Sequence, residues 1–177
     1  MKIAIIGYSG SGKSTLATYL GGLYGLPVLH LDSVQFLPGW QDRPKEERER
    51  MVAEFLDAHE DEGWIIDGTY SSLLPERRFD CADRILFLDF PRLVCLFRVW
   101  RRYRTHRGRV RPSAAEGCPE KLDREFILWV LRDGRTKERR RRYFEILGRC
   151  PGATRILKSQ SAINAYMKEC EREVRRP

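Results

Sequence analysis

The run Gly7-Tyr8-Ser9-Gly10-Ser11-Gly12-Lys13-Ser14 has the spacing G-x-x-x-x-G-K-[ST], whose physical use is to wrap backbone around an oxyanion. Glycines at 7, 10 and 12 let the chain turn with its N–H groups facing inward. A helix that follows presents its positive N-terminal end to the same point. A phosphate is the natural guest. Lys13 then reaches the β- and γ-phosphates of ATP, the Ser14 hydroxyl ligates Mg²⁺, and Thr15 contacts the α-phosphate. Tyr8, Ser9 and Ser11 complete a nucleotide-binding loop that runs from Gly7 to Thr15.

Two carboxylates, Asp32 and Asp67, each follow an apolar run, and ligands of open α/β sheets bind outside such strand ends. Asp67 could hold Mg²⁺ through water or hold a phosphoryl acceptor. Asp32 could orient or deprotonate an acceptor hydroxyl. A helix cap or a turn carboxylate is the plain alternative for both, and Pro91, two residues beyond Asp89, assigns Asp89 to capping. Phe36 and Trp40 follow Asp32, placed to stack on a ring substrate or to pack against the next helix. His30, His59 and His106 carry no metal-ligand spacing.

Arginines cluster around an irregular stretch. Arg98, Arg101 and Arg102 precede it at helical spacing, and Arg132, Arg135, Arg139 and Arg140 follow it. A lid at about 104–122 flanked in this way can clamp transferring phosphates and exclude water, although any one arginine fits a solvated basic face equally well. Eight arginines and no acid lie between Pro91 and Arg111. Eight basic and three acidic residues lie between Arg132 and Arg149. The net charge of +8 is therefore concentrated there, a field suited to nucleotide phosphates or a nucleic acid backbone.

These residues must be positioned by strands and helices in alternation. Lys2 to Ile6 reads as a strand and Lys13 to Tyr24 as a helix with Leu16, Leu20 and Leu23 on one face. Pro27 to Leu31, Trp64 to Ile66 and Arg84 to Phe90 read as further strands, the last two buried on both faces. Pro44 to Glu62 predicts a helix whose face carries Met51, Phe55 and Ala58. Another starts at Pro91 and runs through Leu93, Leu96, Phe97 and Trp100. Helices over Glu120 to Leu131 and Thr136 to Gly148, a strand over Ala153 to Leu157 and a helix from Ser159 complete the alternation. The pattern predicts an α/β fold, a parallel sheet covered on both faces. Its 177 residues fit one domain, 1–177.

The N-terminal apolar run is too short for a signal peptide, and no run approaches the ~18 apolar residues of a membrane span. A cytoplasmic protein with no membrane partner is expected. Five cysteines, widely spaced and without C-x-x-C, indicate reduced thiols.

The chain resembles the adenylate-kinase-like P-loop small-molecule kinases, and within them the bacterial DNA topology modulation proteins. The likeness rests on Gly10 to Ala17, Leu26-Pro27-Val28, His30-Leu31-Asp32, Pro38-Gly39-Trp40 and Trp64 to Tyr70. It continues through Ala82-Asp83, Phe87-Leu88-Asp89, Pro91-Arg92, Arg111-Pro112 and Glu116 to Glu120. It implies a three-layer P-loop NTPase fold with a five-stranded parallel sheet and a small helical lid over ATP. It also implies that Lys13, Arg98 and Arg102 contact phosphate or adenine, and that Asp32, Trp40, Asp67 and Tyr70 face the acceptor. Ser113-Ala114 departs from that pattern, where an acid and a larger apolar residue are expected. The expected activity is transfer of the γ-phosphate of ATP to a small acceptor such as a nucleotide, nucleoside or related metabolite, with Lys13, Asp32, Arg98, Arg102 and Arg135 as catalytic residues. Two alternatives stand beside it: a nucleotide-dependent nucleic-acid-binding regulator, and an ATPase without a small acceptor.

Overall fold

Ile3, Ala4, Ile5 and Ile6 are fully buried because strand β1 (Lys2–Gly7) lies at the centre of a sheet with layers on both faces. The computed structural model describes residues 1–111, 113–150 and 152–175; Pro112 of the Arg111-Pro112 block lies outside them. Helix α1 (Lys13–Tyr24) follows β1, then β2 (Val28–His30), α2 (Leu31–Gln35), the short pair β3 (Phe36–Leu37) and β4 (Gln41–Asp42), and α3 (Lys45–Ala58). Next come β5 (Trp64–Asp67), β6 (Arg84–Leu88), α4 (Arg92–His106), α5 (Arg124–Leu131), α6 (Lys137–Arg149), β7 (Ala153–Leu157) and α7 (Gln160–Arg175).

Five strands pair in parallel in the order β2-β5-β1-β6-β7. Helices α1 and α7 pack together on one face. On the other, α6 lays Tyr143 flat against Phe87 of β6, ring centroids 4.6 Å apart. The result is a three-layer α/β fold with parallel strands whose carboxyl ends, at Gly7, His30 and Asp67, meet on one edge.

Two helices turn differently from the sequence pattern. Helix α3 buries Val52 and Leu56, with Met51 and Phe55 flanking them and Ala58 exposed. In α4 the difference is larger, since Leu93, Phe97 and Trp100 are 70%, 59% and 41% exposed while Cys95 and Val99 are buried. The cause is the phosphate loop. A Cβ on Gly10 would lie 2.6 Å from the Cys95 carbonyl and 2.8 Å from Val99 Cγ2, so α4 gives its small-residue face to the loop backbone. That choice turns Arg98 and Arg102 inward and leaves the larger apolar side chains outside, with Arg104 over the Trp100 ring.

Helix α4 runs on to His106, and α5 begins at Arg124, four residues later than the sequence predicts. The Asp123 carboxylate sets that start by accepting from the Phe126 N–H at 2.8 Å. Among the described residues of the connection between the two helices, Arg107 and Glu120 form an isolated bridge. Asp32 lies in the first turn of α2 rather than at a strand end, because β2 stops at His30. Asp89 does not cap α4, whose N-terminus has no side-chain cap; its carboxylate pairs with Arg140 at 3.3 Å.

The loop after β5 is held from below by a fully buried arginine. Arg78, in a π-helical turn over Glu76–Asp80, donates to the carbonyls of Gly68, Leu73 and Tyr70 at 3.0, 2.9 and 2.8 Å. Burial alone pulls its pKa down to about 9, the cost of a charge set among carbonyls rather than opposite a carboxylate. Replacing it with methionine removes the guanidinium donors from the buried Gly68 and Leu73 carbonyls and leaves the Tyr70 carbonyl only the Leu73 N–H. We expect Arg78→Met to lower the unfolding free energy by about 3 kcal/mol or more, measured by urea denaturation. An unchanged midpoint would remove this brace from the account.

Candidate functional site

Gly7, Gly10 and Gly12 all have positive φ, at 147°, 78° and 101°, so the loop between β1 and α1 curls in a way side-chain-bearing residues resist. Ser11 closes the curl by donating its N–H to the Tyr8 carbonyl at 3.1 Å. Gly12 caps α1 without any side-chain hydrogen bond, and the first-turn N–H groups of α1 point out of the helix without intrahelical partners. Lys13 Nζ folds back onto the Tyr8 carbonyl at 3.2 Å. Burial lowers its pKa, opposed by the charges of Asp32 and Asp67.

Asp67 joins three elements. Its Oδ2 accepts from the Ser14 hydroxyl at 2.8 Å, and its Oδ1 pairs with His30 Nδ1. His30 and Asp67 are register partners in adjacent parallel strands; the strand pairing, not any sequence spacing, brings the imidazole to the carboxylate. Thr69 ties the loop after β5 to β1, its hydroxyl lying 3.2 Å from the Gly7 N–H and 3.3 Å from the Gly7 carbonyl. Neither His30 nor Thr69 had a sequence signal of its own.

On the far side of Lys13, Tyr70 donates to Asp32 Oδ1 at 2.9 Å. Burial, then the Asp32 charge, raises the Tyr70 pKa, so the phenol stays protonated and keeps donating. Trp40 sits edge-on to Phe36 at 5.2 Å and donates from Nε1 to the Pro119 carbonyl at 3.0 Å. The hairpin formed by β3 and β4 is further tied to the α4–α5 connection by Gly39 N–H to Gly117 O at 2.9 Å and by Cys118 Sγ to Leu37 O at 3.2 Å.

The arginines divide by role. Arg98 donates to the Ser11 carbonyl at 2.7 Å and to Gln160 at 2.8 Å, with its guanidinium over Phe90. Arg102 donates to Glu120 Oε2 at 3.0 Å; burial and then the Arg111 charge lower its pKa. Arg135, expected among the phosphate contacts, spends its donors on Val130 O, Phe90 O and Cys95 Sγ while lying 3.8 Å over the Tyr8 ring. It braces the loop while still lining the cleft. Tyr8 itself is buried, so it offers the site only its backbone. Ser9 accepts from Trp129 Nε1 at 3.2 Å, and Thr15 is exposed at the loop's outer edge.

Lys13, Ser14, Asp32, Trp40, Tyr70, Arg98, Arg102 and Glu120 line one open cleft of about 1730 Å³, beyond the usual size for one small ligand. The loop suits a phosphate chain, for the Gly10 and Gly12 positions leave no room or no conformation for side chains and the helix end has no cap of its own. Ser14 and Asp67 suit Mg²⁺, which takes one or two protein oxygens and completes its shell with phosphate and water. Among the described residues no group of three His, Cys, Asp or Glu side chains forms a separate metal site, and no helix is long and apolar enough to cross a membrane.

Residues 3–125 match the family model described as an AAA domain. A search of curated proteins gives no match. Among solved structures, shikimate kinase from Acinetobacter baumannii in complex with shikimate aligns with 20% identity over 98% of this chain and 92% of that one, TM-score 0.62. TT1252 from Thermus thermophilus aligns with 19% identity over 98% and 97%, TM-score 0.54. At these identities the likeness is one of fold alone.

If Ser14 and Asp67 act as one unit, Ser14→Ala and Asp67→Asn should each raise the Mg²⁺ concentration needed for ATP binding by about tenfold or more. The double variant should fall short of the product of the two effects. Titration with a fluorescent ATP analogue checks both, and fully multiplicative effects would mean the two residues act independently.

Proposed function

We propose that this chain, which belongs to the AAA domain family, is an ATP-dependent phosphotransferase that moves the γ-phosphate to a hydroxyl of a small acceptor. One observation carries the reading. Lys13, Asp32 and Tyr70 line the same cleft, with Tyr70 donating to Asp32 at 2.9 Å, so the phosphate loop and a carboxylate–phenol pair open onto one space. A loop that only held nucleotide would not need the second pair.

In this reading Gly7 to Thr15 bind the phosphate chain through backbone N–H groups, Lys13 neutralises the β- and γ-phosphates, and Arg98 lies beside the nucleotide. Ser14 and Asp67 hold Mg²⁺, with His30 fixing the Asp67 carboxylate. The metal, when bound, spreads the charge on the β- and γ-oxygens. Asp32, oriented by Tyr70, accepts the acceptor's hydroxyl hydrogen. The acceptor oxygen bonds to the γ-phosphorus as the bond to the bridging β–γ oxygen breaks, ADP leaves with that electron pair, and the proton passes to Asp32. Residues 104–122 serve as the lid, carrying Glu120 and Arg111 over the acceptor. Trp40 and Tyr70 form the acceptor's wall. The narrower affiliation with DNA topology modulation proteins rests on the sequence blocks alone.

Lys13→Met should lower acceptor-dependent ADP release by about a hundredfold or more, and Asp32→Asn should do so with ATP binding unchanged. Stopped-time ADP assays with nucleosides, nucleoside monophosphates and sugars test this. Full turnover by Lys13→Met would sink the reading.

A further inference from the structure

Arg102 and Arg111 converge on one carboxylate. Glu120, its side chain 3% exposed, accepts from Arg102 Nε at 3.0 Å and is ion-paired with Arg111. Two inward arginines beside an acceptor pocket would ordinarily form a clamp for phosphate or carboxylate. Here both already face an anion that belongs to the chain. Lys121, 5.8 Å over the Trp40 ring, is likewise paired, with Asp123 at 3.2 Å.

The acceptor side is fixed around this cluster. The bonds from Gly39 to Gly117 and from Trp40 to Pro119 hold the 117–121 segment on the hairpin. Asp32, Arg102 and Glu120 line the same cleft, so both carboxylates flank the same space. An anion entering there meets Asp32 and competes with Glu120 for the two arginines, and any displacement leaves a buried carboxylate with fewer partners. A hydroxyl, by contrast, can donate to Asp32, and the Trp40 and Phe36 rings offer an apolar wall.

We propose that Glu120 sets the charge of the acceptor: the cleft takes an uncharged or cationic hydroxyl compound with an apolar ring face and rejects phosphorylated or carboxylated ones. This rests on the phosphotransferase reading, which it narrows. The decisive measurement is calorimetric titration of inorganic phosphate into the full chain saturated with Mg²⁺ and a non-hydrolysable ATP analogue. The wild type should show no phosphate binding, and Glu120→Gln should bind it at least tenfold more tightly. Phosphate binding by the wild type, or no gain in a Glu120→Gln protein that melts as a folded chain, overturns the proposal.

A wild-type comparison keeps the test open should Glu120→Gln fail to fold. In ADP-release assays adenosine should exceed AMP, and glucose should exceed glucose 6-phosphate, by at least tenfold in kcat/KM. A preference for either phosphorylated compound overturns the proposal. Loss of ADP release with every acceptor would remove the phosphotransferase reading instead, while the phosphate titration would still decide the charge selection.

Discussion

The hydrogen bond from Ser14 to Asp67 joins the first turn of α1 to the end of β5, and much of the site's geometry follows from it. The bond is made possible by β1 lying between β5 and β6 with all three parallel, which brings their carboxyl ends to one edge of the sheet. With Asp67 fixed, His30 is held beside it through the β2–β5 register, and Thr69 and Tyr70 are carried forward on the loop that follows. Tyr70 in turn holds Asp32. The phosphate loop and the Asp32–Tyr70 pair are therefore linked through the end of β5 and the loop that follows it.

Arginine does two different jobs in this architecture. Arg78 and Arg135 are braces, aimed at backbone carbonyls and a thiol, and each supports a loop that must keep an unusual course. Arg98 and Arg102 face the cleft because α4 presents its small residues to the phosphate loop. Arg111 turns inward to Glu120, whereas Arg92, Arg101, Arg104, Arg107 and Arg109 are exposed. A high local count of arginines thus says little about how many meet a ligand.

Sequence made the phosphate loop legible because its chemistry is local: three glycines, a lysine and a serine in fixed spacing need no distant partner. The strands were legible for a similar reason, as Ile3 to Ile6 and Trp64 to Ile66 are apolar throughout only if covered on both faces. The orientation of α4 was not, because Leu93, Phe97 and Trp100 look like a buried stripe until Gly10 is seen to demand Cys95 and Val99. The partners Arg135 takes were not legible either, since Phe90 and Cys95 lie some forty positions away. Glu120 escaped notice because a lone glutamate acquires meaning only when Arg102 and Arg111 meet on it. Pairings between distant segments carry what local patterns cannot.

The central position of β1 also bears on how the chain reaches this state. Lys2 pairs with Trp64, and Ile3 pairs with Arg84, so β1, made before the other strands of this sheet, waits for both neighbours. Gly7 packs against Leu88, whose carbonyl would lie 2.6 Å from an added Cβ. The phosphate loop therefore gains its supporting wall only after β6 has been made. Closing such long chain loops is entropically costly and slows folding. During synthesis the most recognisable motif of the sequence is consequently among the last parts of the sheet's edge to acquire its shape.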